Sequence, residues 1–355
     1  MKRKFRLLSI NFIVFILFFS VFLIIYEIIF SQKQNLNILK VDQELGWNTS
    51  HEIELIGNLD YKREVTFIGD SFTQDAKWTH ETIKQLNSKN YMTSGYSEGV
   101  SGYGTIQSLI KLKKKIKNHK PKFIVLLFYA WNDLRDNVDT PGIYYSPLMQ
   151  KRPYYLNDKT YSIIKPDLND HWVKNLTLYK NLFFKIISSV QDKIIEYFGV
   201  NYYAENKISK NLNYSQKVSW EPFYQEHMVN SAYVNLAWKK TKLALKDLKN
   251  TTNQSGAELI IIGIDNAFTV DNDVYDLWAK DIDNFNPNLP LEILEKECRD
   301  LAINFYNAIP DLQDLKEKTK NKIFEGPPGN LSGHLQPQGE KLIGEIVAKI
   351  IKSKL

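Results

Sequence analysis

Three kinds of hydrophobic patterning run along the chain. From residue 7 to residue 30 apolar side chains are nearly unbroken, interrupted by Ser9, Asn11, Ser20 and Glu27. A helix of that length reaches about 36 Å, more than the roughly 30 Å of hydrocarbon in a bilayer, and the run predicts a transmembrane helix. The second kind is the short, β-branched apolar run without polar alternation, at 64–68, 121–129 and 258–264. Such runs predict strands covered on both faces, as in a parallel sheet. The third kind has helical spacing. It occurs at 79–86, 106–116, 176–198, 232–248 and 291–303, and after residue 339, where Leu342, Ile343, Ile346, Val347, Ile350 and Ile351 share one face. Strands alternating with helices predict an α/β fold with a doubly wound parallel sheet.

Charge and punctuation divide the chain around these elements. Residues 1–6 carry Lys2, Arg3, Lys4 and Arg6, which keeps the tail cytoplasmic and sends everything after residue 31 across the membrane. The run at 7–30 exceeds the usual apolar core of a cleaved signal and no small-x-small site follows it, so an uncleaved, single-pass anchor is expected. Residues 31–63 are polar and mixed. Their Glu44-Leu45-Gly46-Trp47-Asn48 stretch suggests an arm docked on the domain. Residues 64–355 form the domain, with an aromatic-rich insertion at about 140–250 whose first part, Tyr144 to Ile164, reads as a hairpin. Those aromatics suit core packing, and they also suit stacking on sugar rings.

The formal net charge is +6, and the basic tail supplies four of those charges. The remainder is nearly neutral, and Lys113-Lys114-Lys115-Ile116-Lys117 reads as the solvated face of a helix, so nucleic-acid binding is not expected. A single cysteine, Cys298, excludes an internal disulfide and a multi-cysteine zinc site.

Candidate chemistry collects where strands end. Gly69-Asp70-Ser71-Phe72-Thr73 closes the strand at 64–68, and a small hydroxyl residue on such a turn can present its oxygen as a nucleophile. Asp70 and Ser71 are also common helix caps. Gly99, Gly102 and Gly104 precede the helix at 106–116, where exposed N–H groups suit a developing negative charge, and they also suit a plain turn. Trp131-Asn132-Asp133 places polar side chains at the end of the strand at 121–129. His334, in a turn-rich loop ahead of the last helix, fits a base, a docking residue or a surface residue.

Taken together, these four blocks in this order resemble the SGNH/GDSL hydrolase superfamily, over roughly residues 64–351. The resemblance implies a flavodoxin-like sheet and an acyl-serine mechanism. Ser71 would be the nucleophile and His334 its base, with an oxyanion hole made by the N–H of Ser71, the N–H of Gly102 and the side-chain amide of Asn132. Gly104 is the competing match for Gly102. The resemblance implies no cofactor and no metal. One departure stands out. The family's aspartate, two or three residues before the histidine, is replaced here by Ser332 and Leu331. A backbone carbonyl, Ser332 or a carboxylate such as Glu325 could orient His334, or the site could be degenerate. The expected function is that of a membrane-anchored esterase with its domain outside the cytoplasm, acting on O-acyl esters of cell-envelope glycans. The alternatives are a glycan O-acyltransferase and a non-catalytic glycan-binding or assembly component, either with a possible membrane-protein partner.

Overall fold

Seven residues from Phe123 to Tyr129 form a strand with every side chain buried, and this strand is the spine of the molecule. The computed structural model describes residues 40–42, 44–48, 54–58, 60–74, 76–88, 91–116, 119–138, 152–155, 163–164, 220–325 and 333–355. The apolar run at 7–30, the helical pattern at 176–198 and residues 331 and 332 lie outside them. Among the described residues no helix is long and apolar enough to cross a membrane.

In chain order the elements are β1 (Lys40–Asp42), β2 (Gly46–Asn48), β3 (Glu54–Ile56), β4 (Lys62–Ile68), α1 (Lys77–Asn87), β5 (Thr93–Ser97), α2 (Thr105–Lys115), β6 (Phe123–Tyr129) and α3 (Ala130–Asp136). Then come β7 (Tyr154–Tyr155), β8 (Ile163–Ile164), α4 (Ala232–Ser255), β9 (Glu258–Ile264), α5 (Asn272–Trp278), α6 (Leu289–Asp300), β10 (Asn304–Asn307), α7 (Ile309–Thr319) and α8 (Pro337–Lys352). The central sheet has the order β10-β9-β6-β4-β5-β3. Its five strands from β4 onward are parallel, and in chain order they read 2-1-3-4-5, the flavodoxin-like arrangement. The order reverses between β4 and β6, so a crevice for ligands opens outside their carboxyl ends.

The sheet corrects the expectation of purely parallel strands beginning at 64. β3 comes from the stretch read as an arm and pairs antiparallel with β5. Only a short connection separates β3 from β4, too short for a parallel crossover, so the chain must reverse direction. The aromatic stretch contributes the small antiparallel pair β7–β8. Helices α1 and α8 pack on each other so closely that a side chain at Gly344 would meet the Trp78 carbonyl and the Glu81 side chain. Helix α2 packs on α4. The apolar face predicted for α8 is the buried one, through Ile343, Ile346, Val347 and Ile351.

Candidate active site

β4 runs out at Ile68 into Gly69, whose φ is +152° and whose missing side chain leaves room for Thr73 and the Leu127 carbonyl. A side chain there would collide with both, so the strand can turn sharply only with glycine. Asp70 follows, fully buried. Its carboxylate accepts the Phe72 N–H at 2.8 Å, and its carbonyl accepts the N–H groups of Thr73 and Gln74 at 3.1 and 3.0 Å. This closed turn leaves Ser71 partly exposed at its crest. α1 starts only at Lys77, after Ala76 and without a side-chain cap, so Asp70 and Ser71 do not serve as its caps. The Ser71 N–H has no partner among the described residues.

His334 arrives from far along the chain. Residues 323–325 and 334–336 clasp each other antiparallel, Glu325 N–H donating to the His334 carbonyl at 2.8 Å and Gln336 N–H to the Ile323 carbonyl at 2.7 Å. The clasp presents the imidazole to the serine turn, where Nε2 lies 2.9 Å from Ser71 Oγ. Phe72 supports the ring edge-on at 4.8 Å. Partial burial lowers the His334 pKa below its ordinary value, and the charge of Glu325 opposes that shift. The net result favours a neutral imidazole at pH 7, the form that accepts a proton. Among the described residues no carboxylate hydrogen-bonds the ring; Glu325 acts on it through charge. A cavity of about 320 Å³ opens beside the pair, lined among others by Gln74, Lys77, Ser101, Glu325 and Glu340.

The glycine block reaches this cavity through Ser101. Gly102, at φ +75°, is buried, and its N–H has no partner among the described residues. The N–H of Gly104 donates to Gln107 Oε1 at 3.2 Å and heads α2. Of the two glycines, only Gly102 keeps its donor uncommitted. Asn132 stands on the first turn of α3, directly beyond β6, and its amide donates to Asp70 Oδ2 at 2.9 Å. One carboxylate thus holds both the backbone behind Ser71 and the Asn132 amide, whose second N–H remains available. Four blocks spread over most of the chain converge at the topological switch point. The chain resembles the SGNH/GDSL hydrolases.

No family model matches the sequence, and no curated protein matches it. Among solved structures, it is similar to a GDSL-like lipase from Bacteroides thetaiotaomicron, at 11% identity over 82% of this chain and 89% of that one, with a TM-score of 0.36. It is also similar to an acetylxylan esterase from Geobacillus stearothermophilus, at 11% identity over 83% of this chain and 95% of that one, with a TM-score of 0.40. The resemblance rests on the order of the four motifs, the 2-1-3-4-5 sheet and the convergence of Ser71, His334, Gly102 and Asn132.

Behind this SGNH-like site lies a layer of buried acids, Asp70 and Asp133 from the motifs and Asp265 from outside them. Burial pushes the Asp70 pKa up to about 6, against the pull of the Asn132 amide and the Phe72 N–H. Burial, then the charge of Asp70, raises Asp133 well above the carboxylate range. At the end of β9, Asp265 accepts the Tyr224 hydroxyl at 2.6 Å and the Asn266 N–H at 2.7 Å, while Oδ2 is buried without a hydrogen bond. Burial raises its pKa from 3.8 to about 7. A raised folded pKa means that the folded state binds the proton more tightly, so Asp265 costs stability as pH rises from about 4 to 7 and returns it on acidification. That difference is worth up to about 4 kcal/mol at 1.4 kcal/mol per unit. Asp265→Asn keeps an acceptor for Tyr224 and removes the charge. Urea melts from pH 5 to 8 should show the variant gaining on the wild type as pH rises, and parallel pH curves for the two proteins would refute the assignment.

Proposed function

We propose that this chain is a membrane-anchored serine hydrolase of the SGNH type that cleaves O-acyl esters on cell-envelope glycans outside the cytoplasm. The observation that carries the catalytic part is the 2.9 Å contact between Ser71 Oγ and His334 Nε2, together with the N–H groups of Ser71 and Gly102, which have no partner among the described residues. A serine hydroxyl attacks an ester poorly until a neighbouring base takes its proton. His334 Nε2 takes it as Oγ bonds to the ester carbonyl carbon. The negative charge that develops on the carbonyl oxygen falls to the N–H groups of Ser71 and Gly102 and the Asn132 amide. The tetrahedral species collapses as His334 passes its proton to the leaving alcohol, giving acyl-Ser71. Water, deprotonated by His334, then releases the acid and restores the hydroxyl. A sugar hydroxyl in place of water makes the same site a transferase.

Glu325 takes over part of the work of the absent aspartate in this reading, favouring the imidazolium through its charge. The location rests on the apolar run at 7–30 and the basic residues before it, and the glycan on that setting and on the partly exposed aromatics beside Asn132, Trp131 packed against Trp220 with ring centroids 4.3 Å apart and planes tilted by 34°. The test uses the full-length chain in detergent, mixed with p-nitrophenyl acetate and quenched within a turnover. Mass spectrometry should find one acetyl group on the peptide containing Ser71. Acetate should then appear in water, or acetyl on an added oligosaccharide if transfer prevails. Turnover undiminished in Ser71→Ala, or no acyl adduct under any condition, would exclude the acyl-serine route.

A further inference from the structure

Residues 40–48, the β1–β2 hairpin, seat Trp47 against the glycine block. Its indole is fully buried beside Leu45, Val100 and Tyr103, and the Arg152 guanidinium lies over it at 5.2 Å. Tyr103 Oη donates to the Trp47 carbonyl at 2.6 Å, and Gln107 Nε2 donates to the Leu45 carbonyl at 2.7 Å, so the hairpin is tied to α2 from both residues. The indole Nε1–H donates to the Ser101 carbonyl at 3.0 Å. That carbonyl belongs to the same peptide unit as the Gly102 N–H.

The turn containing this peptide has two possible states. Tyr103 N–H donates to the Val100 carbonyl at 3.0 Å, and Gly102, the third residue of the turn, has φ +75°, the signature of type II. A type I turn joins the same four residues with the central peptide turned over, its third residue near φ −90°. Here the central peptide is Ser101-Gly102. In a trans peptide the C=O and N–H point in opposite directions. With the Ser101 carbonyl turned to Trp47, the Gly102 N–H points away from the hairpin. Ser101 itself lines the cavity shared with Ser71 and His334, and its own N–H is held by Gln74 Oε1 at 2.7 Å. Turning the peptide over would strand the indole N–H in an apolar pocket and aim a carbonyl oxygen where a negative charge must be received. A buried N–H without a partner is costly to keep, and it persists where a ligand supplies the acceptor.

We infer that Trp47 is a positioning residue for the oxyanion site: by holding the Ser101 carbonyl, its indole keeps the 100–103 turn in type II and the Gly102 N–H facing the ester oxygen. The inference rests on the acyl-serine reading for its kinetic consequence, though not for the state of the turn. The hairpin that leads in from the N-terminal apolar run thereby completes the site.

The test is Trp47→Phe in the full-length chain, which keeps an aromatic ring in the pocket and removes the N–H. Loss of one oxyanion donor lowers kcat by about a hundredfold to a thousandfold in comparable sites, and a turn that flips part of the time should cost about tenfold to a hundredfold. KM for p-nitrophenyl acetate should stay within about twofold, because the ground-state ester carries no full negative charge. Lys114→Ala is the control: it removes the ion pairs to Asp42 and Glu44 of the hairpin and touches neither Trp47 nor the 100–103 turn, so kcat should hold. If Trp47→Phe fails to fold, 3-benzothienylalanine at position 47, the isostere without N–H, replaces it. A crystal structure of either Trp47 variant reads the turn directly. A Ser101 carbonyl rotated away from position 47, or Gly102 at negative φ in a share of the molecules, is expected. An unchanged type II turn with kcat equal to wild type would overturn the inference. Should the wild type itself show no Ser71-dependent turnover, the acyl-serine reading fails, and the turn state in the variant structure still decides the role of Trp47.

Discussion

His334→Ala should lower kcat by about 10⁴-fold to 10⁶-fold, the range seen when the base of a serine nucleophile is removed. The imidazole is hydrogen-bonded to Ser71 Oγ, and no second base touches that hydroxyl among the described residues. The fold should survive, because the His334 side chain reaches the surface from only partial burial and the backbone bonds of its clasp are ones that alanine retains. Its pH dependence gives a sharper reading. In the wild type, kcat/KM should rise with pH as His334 loses its proton, with a midpoint below the ordinary histidine value because burial lowers that pKa. The Glu325 charge works against the lowering, so Glu325→Gln should move the midpoint further down and depress the plateau, as the imidazolium loses a favourable charge. Rate profiles from pH 5 to 9 would show both effects. An unmoved acidic limb in Glu325→Gln would mean that this carboxylate does not act on His334.

The second large effect is expected at Asn132. Asn132→Ala removes a side-chain donor to the oxyanion, and kcat should fall by about 10²-fold to 10³-fold, or roughly 3 to 4 kcal/mol of transition-state stabilisation, with KM little changed. The same substitution takes a hydrogen bond from the buried Asp70 carboxylate, which the Asn132 amide now holds down against burial. The Asp70 pKa should therefore climb above about 6, and the variant should become less stable as pH rises through neutrality. Steady-state kinetics at pH 7.5 and urea melts at two pH values separate the roles. A variant that loses affinity while keeping kcat would place Asn132 in substrate binding and remove it from the oxyanion site.

Motif order and apolar runs carried much of this site before any coordinates. The strands 123–129 and 258–264 are legible because a strand covered on both faces needs an unbroken apolar run, and 258–264 matches β9 residue for residue. β5 is not legible. Its Thr-Ser-Gly-Tyr-Ser sequence is wholly buried, yet it carries no apolar pattern, because Ser94 and Ser97 satisfy their hydroxyls on the carbonyls of Tyr61 and Thr73. Those acceptors lie on other segments, so the strand makes sense only once the sheet exists. β3 and β10 are too short to show a period.

The amino-acid sequence by itself determined which chemical groups are present, their order, and their local setting: Ser71 and Asn132 just past strand ends, the glycine block and His334 ahead of helices. Those are properties of local pattern, set by side-chain type and by the residues a turn will accept. Tertiary structure alone decided how they meet. A contact between residues 263 positions apart depends on the strand order that brings β4 beside β6 and on the clasp that carries His334 to the serine. The choice of Gly102 over Gly104 depends on which N–H the fold leaves unspent, and the use of Asp70 and Trp47 on acceptors and donors supplied from distant segments. Hydrogen bonds of that kind are settled by what lies across the crevice, and no local stretch of sequence records its neighbour in space.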